Sequence, residues 1–149
     1  LFMKILMVCL GNICRSPLAQ GIMEKYAPNE WTIDSAGTSG WHASERPDTR
    51  SILIAKQHGI TIDHQHSRQV TAEDFEFFDI IFAMDSSNHS NLIQLAPEES
   101  VKNKVRLILN ESYPGENRQV PDPYTGGQEG FSHVYELLEE AIQSFLKTY

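Results

Sequence analysis

The sequence is poor in cysteine and in basic residues. Its 149 residues include two cysteines, Cys9 and Cys14, too few for the disulfide framework of a small secreted domain and without the spacing of a four-ligand zinc site. Lysine and arginine number 12 against 20 acidic residues, and the formal net charge is −8. This charge disfavours nucleic acid and anionic membranes as partners. We therefore expect a protein of a reducing compartment.

Long hydrophobic segments are also missing. Lys4 interrupts the apolar run at the N-terminus, and no small-residue cleavage site follows it, which argues against a signal peptide. No apolar run reaches the roughly 18 residues of a transmembrane helix. We expect a cytoplasmic protein and, from its length, a single domain over residues 1–149.

Strand-like and helix-like segments alternate along the chain. Strands are predicted at Met3–Cys9, Trp31–Gly37, Phe77–Met84 and Lys104–Leu109. Four helices are predicted. The first begins with Ser16 as N-cap and Pro17 as first helical residue, and the second follows Pro47 and ends at Gly59. The third follows Asp85, which is interpreted as a structural cap, and the fourth covers Phe131–Leu146. Residues Asn110–Gly130 are predicted to form a working loop. The alternation predicts an α/β fold with right-handed crossovers, in which ligands bind at the carboxyl ends of the strands.

The first predicted strand ends in CLGNICRSP, residues 9–17. The amides between Cys9 and the helix have no strand partner, so they can form an anion-binding nest at the positive end of the helix dipole. Arg15 supplies a planar fork for two phosphate oxygens, and the same positive field favours the thiolate form of Cys9. An ATP-binding loop would need a lysine and a second glycine. The alternative, an inert buried cysteine, is disfavoured by the coincidence with Arg15, Ser16 and Pro17.

These residues resemble the C-x5-R-S signature of the low-molecular-weight protein tyrosine phosphatases. The resemblance continues through DSAGTSGW, SRQVTAEDFEFFD, AMDSSN, DPY and the final helix, over nearly the whole chain. It implies a three-layer sandwich with a central, mostly parallel four-stranded sheet flanked by helices, of the phosphotyrosine phosphatase I-like kind. It further implies hydrolysis of phosphotyrosine and small aryl phosphates through a cysteinyl-phosphate, without a metal or other cofactor.

The resemblance assigns the catalytic roles. Cys9 is the implied nucleophile, Arg15 the transition-state clamp, and Asp122 in PDPYTG the general acid and base. Flanking prolines stiffen the exposed loop that carries Asp122, although on its own this residue would be interpreted as a turn former. Ser16 is expected to hydrogen-bond the Cys9 sulfur so that the thiolate leaves more easily.

Further residues are implied around the pocket. Substrate-binding positions are Leu10, Gly11, Asn12, Ile13, Cys14, Trp41 and Tyr124, and loop support comes from Asn12 and Ser35. Asn12 is expected in a left-handed conformation, and an ordinary turn residue and a strand-end serine are the alternatives for these two supports. Ile13 favours phosphotyrosine, because related arginine phosphatases resemble this family but carry threonine there.

Two features stay open in the sequence. Cys14 is either a small packing residue or a partner that traps oxidised Cys9 as a reversible disulfide. His64 and His66 flank Gln65, which aligns with a loop-bracing histidine of some family members. We expect this His-x-His pair to be solvated rather than metal-binding.

Rival functions fit the sequence less well. Arsenate reduction needs further cysteines, and none follows Cys14. A phospho-carrier of the sugar-transport type would lack Arg15 and the distant Asp-Pro, and a pure binding module would leave Cys9 without a use. The expected partners are phosphotyrosine-containing proteins, with a tyrosine kinase among the candidates, and phosphate or other oxyanions in the loop.

Overall fold

The structure is a computed structural model that describes residues 2–149, so residue 1 of the predicted domain lies outside the described residues. Four strands form one sheet in the order β2-β1-β3-β4, and all three neighbouring pairs are parallel. The strands are β1 Lys4–Cys9, β2 Thr32–Gly37, β3 Ile80–Ala83 and β4 Val105–Leu107. The α-helices are α1 Arg15–Tyr26, α2 Thr49–Gln57, α3 Ala72–Phe77, α4 Ser86–Leu95 and α5 Gln128–Leu146, and two 3₁₀ helices cover Glu99–Lys104 and Ile108–Glu111. The predicted three-layer α/β fold is confirmed.

The central strand β1 is buried on both faces of the sheet. Ile5 and Met7 belong to the apolar cluster that includes α1 and α5, whereas Leu6 and Val8 belong to the cluster that includes α3 and α4. A strand covered on both sides needs the continuous apolar run seen in the sequence. Because β2 and β3 lie on opposite sides of β1, the strand order reverses at its carboxyl end, where Cys9 stands and where such folds bind ligands.

Some predicted boundaries differ from the structure. Helix α1 begins at Arg15 with Cys14 as N-cap, because the hydroxyl group of Ser16, the predicted cap, is hydrogen-bonded elsewhere. Strand β3 begins at Ile80 rather than Phe77, since a capping box between Thr71 and Asp74 starts the unpredicted helix α3.

The predicted loop at 110–130 is shorter than expected at both ends. A 3₁₀ turn extends to Glu111, and α5 already begins at Gln128. Within residues 2–149, no helix combines the length and the apolar character needed to cross a membrane.

Candidate active site

The loop between β1 and α1 wraps around the sulfur of Cys9. Asn12 has the predicted left-handed backbone, with φ 58°, and its backbone N–H donates to Cys9 Sγ at 3.3 Å. The loop lies tight against the end of β2, where a Cβ atom on Gly37 would stand 2.7 Å from the carbonyl oxygen of Leu10. A glycine is therefore required opposite the loop.

The side chain of Asn12 sets the direction of the hydrogen bonds behind the loop. Its Oδ1 accepts from the backbone N–H of Arg68 at 3.0 Å, and its Nδ2 donates to Ser16 Oγ at 2.8 Å and to Ser35 Oγ at 3.0 Å. Since Ser16 Oγ accepts from Asn12, its own hydrogen is available to Cys9 Sγ, 3.0 Å away. Because the backbone N–H of Arg68 can only donate, it fixes Nδ2 of Asn12 toward Ser16. The hydroxyl group of Ser16 therefore donates its hydrogen to the sulfur of Cys9.

Gln20 extends this network and was not found from the sequence. Ser35 Oγ donates to Gln20 Oε1 at 2.7 Å, and the Gln20 amide hydrogen-bonds the carboxyl group of Glu24 one turn further along α1. Gln20 is 8% exposed. Its only signal in the sequence is a polar residue inside an otherwise apolar helix segment, which does not reveal its partner.

Arg15 is a buried cation that is hydrogen-bonded to the carboxylate of Asp85. Its Nη1 donates to Asp85 Oδ2 at 2.7 Å and to the carbonyl oxygen of Val120 at 2.9 Å. Burial lowers the pKa of Arg15, but the charges of Cys9 and Asp85 and the hydrogen bond to Asp85 outweigh burial and raise it overall. The guanidinium therefore stays charged beside Cys9.

Asp85 has two roles in this arrangement. Its Oδ1 accepts from the backbone N–H of Asn88 at 2.7 Å and so caps α4, as predicted from the sequence. Its Oδ2 orients the guanidinium of Arg15, a contact that the sequence did not reveal.

One pocket brings most of the predicted residues together. It is lined by Cys9, Leu10, Gly11, Ile13, Cys14, Arg15, Trp41, His42, Asp122 and Tyr124. Trp41 is 80% exposed at the mouth, whereas Cys9 is 3% exposed. Three predicted residues do not line the pocket, because their side chains hydrogen-bond one another behind the loop: Asn12, Ser16 and Ser35. His42 was not predicted; its Nδ1 lies 3.0 Å from Glu45 Oε2.

Asp122 is the carboxyl group nearest Arg15 on the solvent side of the pocket. Its Oδ1 accepts from the backbone N–H of Tyr124 at 3.1 Å, and its Oδ2 lies 3.8 Å from Arg15 Nη2. The side chain is 49% exposed. The pocket therefore holds a sulfur, a cation and a carboxyl group, the groups that nucleophilic phosphoryl transfer with acid catalysis requires.

Cys14 lies in the wall of the same pocket, whereas the histidine pair is not among its lining residues. Cys9 and Cys14 are both free and buried, and burial, together with the charges of Asp48 and Cys9, raises the pKa of Cys14 to about 12. His64 and His66 are exposed, as predicted. Among residues 2–149, no three or more histidine, cysteine or acidic side chains are grouped as a metal site would need.

The sheet and the loop at residues 9–15 define a parallel α/β protein with a cysteine and an arginine in the loop that follows its first strand. The family model of the low molecular weight phosphotyrosine protein phosphatases matches residues 4–149, and the chain belongs to this family. It is 42% identical to the enzyme of that name from Schizosaccharomyces pombe, over 97% of this chain and 96% of the relative.

Solved structures of phosphatases have the same fold as this chain. A protein tyrosine phosphatase from Entamoeba histolytica, with Hepes in its active site, superimposes with a TM-score of 0.91 at 38% identity, over 98% of this chain and 96% of the other. DARP, a Drosophila arginine phosphatase, gives 0.90 at 36% identity, over 99% and 98%.

Proposed function

We propose that this protein hydrolyses phosphotyrosine in proteins, and small aryl phosphates, through a cysteinyl-phosphate formed on Cys9. The observation that carries the proposal is the position of Cys9 Sγ, which accepts hydrogen bonds from the amide of Asn12 and the hydroxyl of Ser16 in a pocket that also holds Arg15. Such donors favour a sulfur anion. Family membership and the oxyanion seated in the Entamoeba active site support the same reaction.

In the first step, Cys9 Sγ attacks phosphorus in line with the leaving phenolic oxygen. An S–P bond forms and the P–O bond to the phenol breaks. Arg15 and the loop amides stabilise the charge on the three equatorial oxygens. Asp122 gives its proton to the leaving oxygen, so that a neutral phenol departs and the carboxylate remains.

In the second step, the Asp122 carboxylate takes a proton from water as the water oxygen attacks phosphorus. The S–P bond breaks, inorganic phosphate is released, and the electron pair returns to Cys9 Sγ as a thiolate. Ser16 stabilises that thiolate through its hydrogen bond. The positive charge for both steps comes from Arg15 and the amides, so we assign no role to a metal.

Steady-state hydrolysis of an aryl phosphate tests this mechanism. We expect Cys9→Ser to be inactive, Asp122→Ala to be slowed at the first step by about 10²–10⁴-fold, and EDTA to have no effect. Asp63→Ala, at an exposed acidic residue, is the matched control and should keep full activity. Transfer of phosphate to a protein acceptor with negligible turnover would instead support a phospho-carrier.

The proposed substrate class depends on the pocket mouth. Leu10, Trp41 and Tyr124 are exposed apolar and aromatic side chains beside the pocket, and Ile13 is 7% exposed in its wall. A phenyl ring can pack between them. We expect kcat/KM for a phosphotyrosine peptide to exceed that for a phosphoarginine peptide, and Ile13→Thr to reduce this preference. A wild-type preference for phosphoarginine would refute it.

A redox role for Cys14 remains a separate proposal. Peroxide would convert Cys9 to a sulfenic acid, which condenses with the Cys14 thiol to a disulfide and releases water. A dithiol should then restore activity, and Cys14→Ser should recover less completely; equal recovery would refute the protective role. A cytoplasmic location and a tyrosine kinase partner also stay predictions.

A further inference from the structure

The segment that carries Asp122 is held on both sides of this residue. On the upstream side, the Val120 N–H donates to the carbonyl oxygen of Met84 at 2.9 Å, and Arg15 Nη1 binds the carbonyl oxygen of Val120. On the downstream side, one side chain holds two carbonyl oxygens: Arg50 Nη2 donates to Tyr124 at 2.8 Å, and Arg50 Nη1 donates to Gly126 at 2.7 Å.

Arg50 is itself fixed in place. Its Nε and Nη2 donate to Asp48 Oδ1 and Oδ2, each at 2.9 Å, and its guanidinium lies 4.5 Å from the ring centroid of Phe131 and 5.9 Å from that of Tyr124. The hydrogen bonds from Arg50 lower the pKa of Asp48, so that this ion pair persists to lower pH than an ordinary aspartate would allow. A planar fork held by a carboxylate and a ring has little freedom to rotate.

The start of α2 is also tied to the loop around Cys9. The Asp48 N–H donates to the carbonyl oxygen of Ile13 at 2.8 Å, and Ser51 Oγ donates to the carbonyl oxygen of Cys14 at 3.1 Å. Arg50 therefore joins two parts of the pocket that are far apart in sequence, the loop at 9–15 and the segment at 122–126.

We propose that Arg50 is a positioning residue, which holds the Asp122 carboxyl group at the leaving oxygen by fixing the segment at 122–126 against the loop around Cys9. The inference rests on the proposed function. The carboxyl group needs such support because its side chain is half-exposed and its Oδ2 lies 3.8 Å from Arg15 Nη2, which is too far for a hydrogen bond. The residues that follow it, Pro-Tyr-Thr-Gly-Gly, form no helix or strand of their own.

A misplaced acid has a specific kinetic consequence. Protonation matters greatly when phenol itself leaves and little when a strongly acidic phenol leaves, because the latter departs as an anion. Loss of Arg50 should therefore slow phenyl phosphate much more than 2,4-dinitrophenyl phosphate. A general loss of folding or of phosphate binding would reduce both equally.

The test compares Arg50→Met and Arg50→Lys with the unaltered protein. Met removes the guanidinium, and Lys keeps the charge but cannot bind both carbonyl oxygens and Asp48 in one plane. We expect kcat/KM for phenyl phosphate to fall about 10- to 100-fold in both variants, since a displacement of about 1 Å costs about that much. The value for 2,4-dinitrophenyl phosphate should change less than about threefold. Arg46→Met, at an exposed arginine four positions earlier, is the matched control and should behave as the unaltered protein.

Two further measurements keep the outcome decisive. The inhibition constant of inorganic phosphate should stay unchanged in the Arg50 variants. Arg50→Met combined with Asp122→Ala should lose no more on phenyl phosphate than Asp122→Ala alone, because the two changes act through one group. Equal losses on the two substrates, or additive losses in the double variant, would overturn the inference. Absence of Cys9-dependent hydrolysis in the unaltered protein would instead overturn the proposed function, and this inference with it.

Discussion

The hydroxyl group of Ser16 offers the sharpest single test of how the sulfur is stabilised. Ser16 is fully buried, and its Oγ lies 3.0 Å from Cys9 Sγ. Ser16→Ala removes one hydrogen bond to a charged sulfur, which is worth about 1.5–3 kcal/mol. With a tenfold change in rate for every 1.36 kcal/mol, this corresponds to a loss of about 10- to 150-fold.

The loss should fall on the second chemical step. In the second step of the proposed mechanism the negative charge returns to the sulfur as the S–P bond breaks, so the stabilisation is greatest in the transition state. In the first step of the proposed mechanism the sulfur attacks as an anion, so the same hydrogen bond also stabilises the ground state. Ser16→Ala should therefore accumulate the cysteinyl-phosphate, and stopped-flow measurements with 4-nitrophenyl phosphate should show a burst of about one phenol per enzyme before slow turnover.

Ser39→Ala is the matched control for this change. Ser39 Oγ donates to the carbonyl oxygen of Leu10 at 3.1 Å, so it contacts the same loop without contacting the sulfur. Its turnover should stay within about threefold of the unaltered protein, as expected for an exposed hydrogen bond. A Ser16→Ala variant with normal turnover would refute the reasoning. So would a slow variant without a burst, because Ser16 would then act on the shape of the loop.

Three further changes test other parts of the structure. Because the pKa of Cys14 is raised to about 12, chiefly by burial, iodoacetamide at neutral pH should alkylate Cys9 and leave Cys14 unmodified in peptide maps; labelling of Cys14 in the folded protein would contradict this. Asp85→Ala should lower the free energy of unfolding by about 3–5 kcal/mol in urea titrations, since it breaks a buried ion pair and removes a helix cap; a change below about 1 kcal/mol would contradict it. Gly21→Ala should lower the melting temperature despite the better helix propensity of alanine, because the added Cβ would stand 2.6 Å from Ile62 Cγ2. A higher melting temperature would show that Ile60 and Ile62 move aside.

The sequence could predict the parts of the site that are encoded locally. Cys9, Arg15 and Ser16 lie within eight consecutive residues, and a buried strand followed by a helix start is sufficient to bring them around one anion. The helix α3 was missed because it runs directly into the apolar segment of β3, so only the capping box of Thr71 and Asp74 marks its start.

Contacts between distant segments could not be predicted in this way. Arg50 reaches the carbonyl oxygens of Tyr124 and Gly126, and Asp85 reaches Arg15. Nothing in the composition of either partner marks these pairs, because a carbonyl oxygen is present at every residue and an aspartate that caps a helix needs no second partner. Such pairs become visible only when the crossovers of the fold have brought their segments together.

Buried donors in the loop account for the proposed binding of an anion by an acidic protein. A net charge of −8 repels a phosphate group at long range, but exposed charges more than about 10 Å away are largely screened by salt. Arg15 and the amide of Asn12 are buried, so they act in a medium of low dielectric constant and without that screening. Asp85 hydrogen-bonds Nη1 of Arg15, and the loop amides carry no net charge that a counter-ion could neutralise. Local donors can therefore outweigh the average charge, so the proposed anion binding depends on the geometry of the seven residues 9–15 rather than on composition.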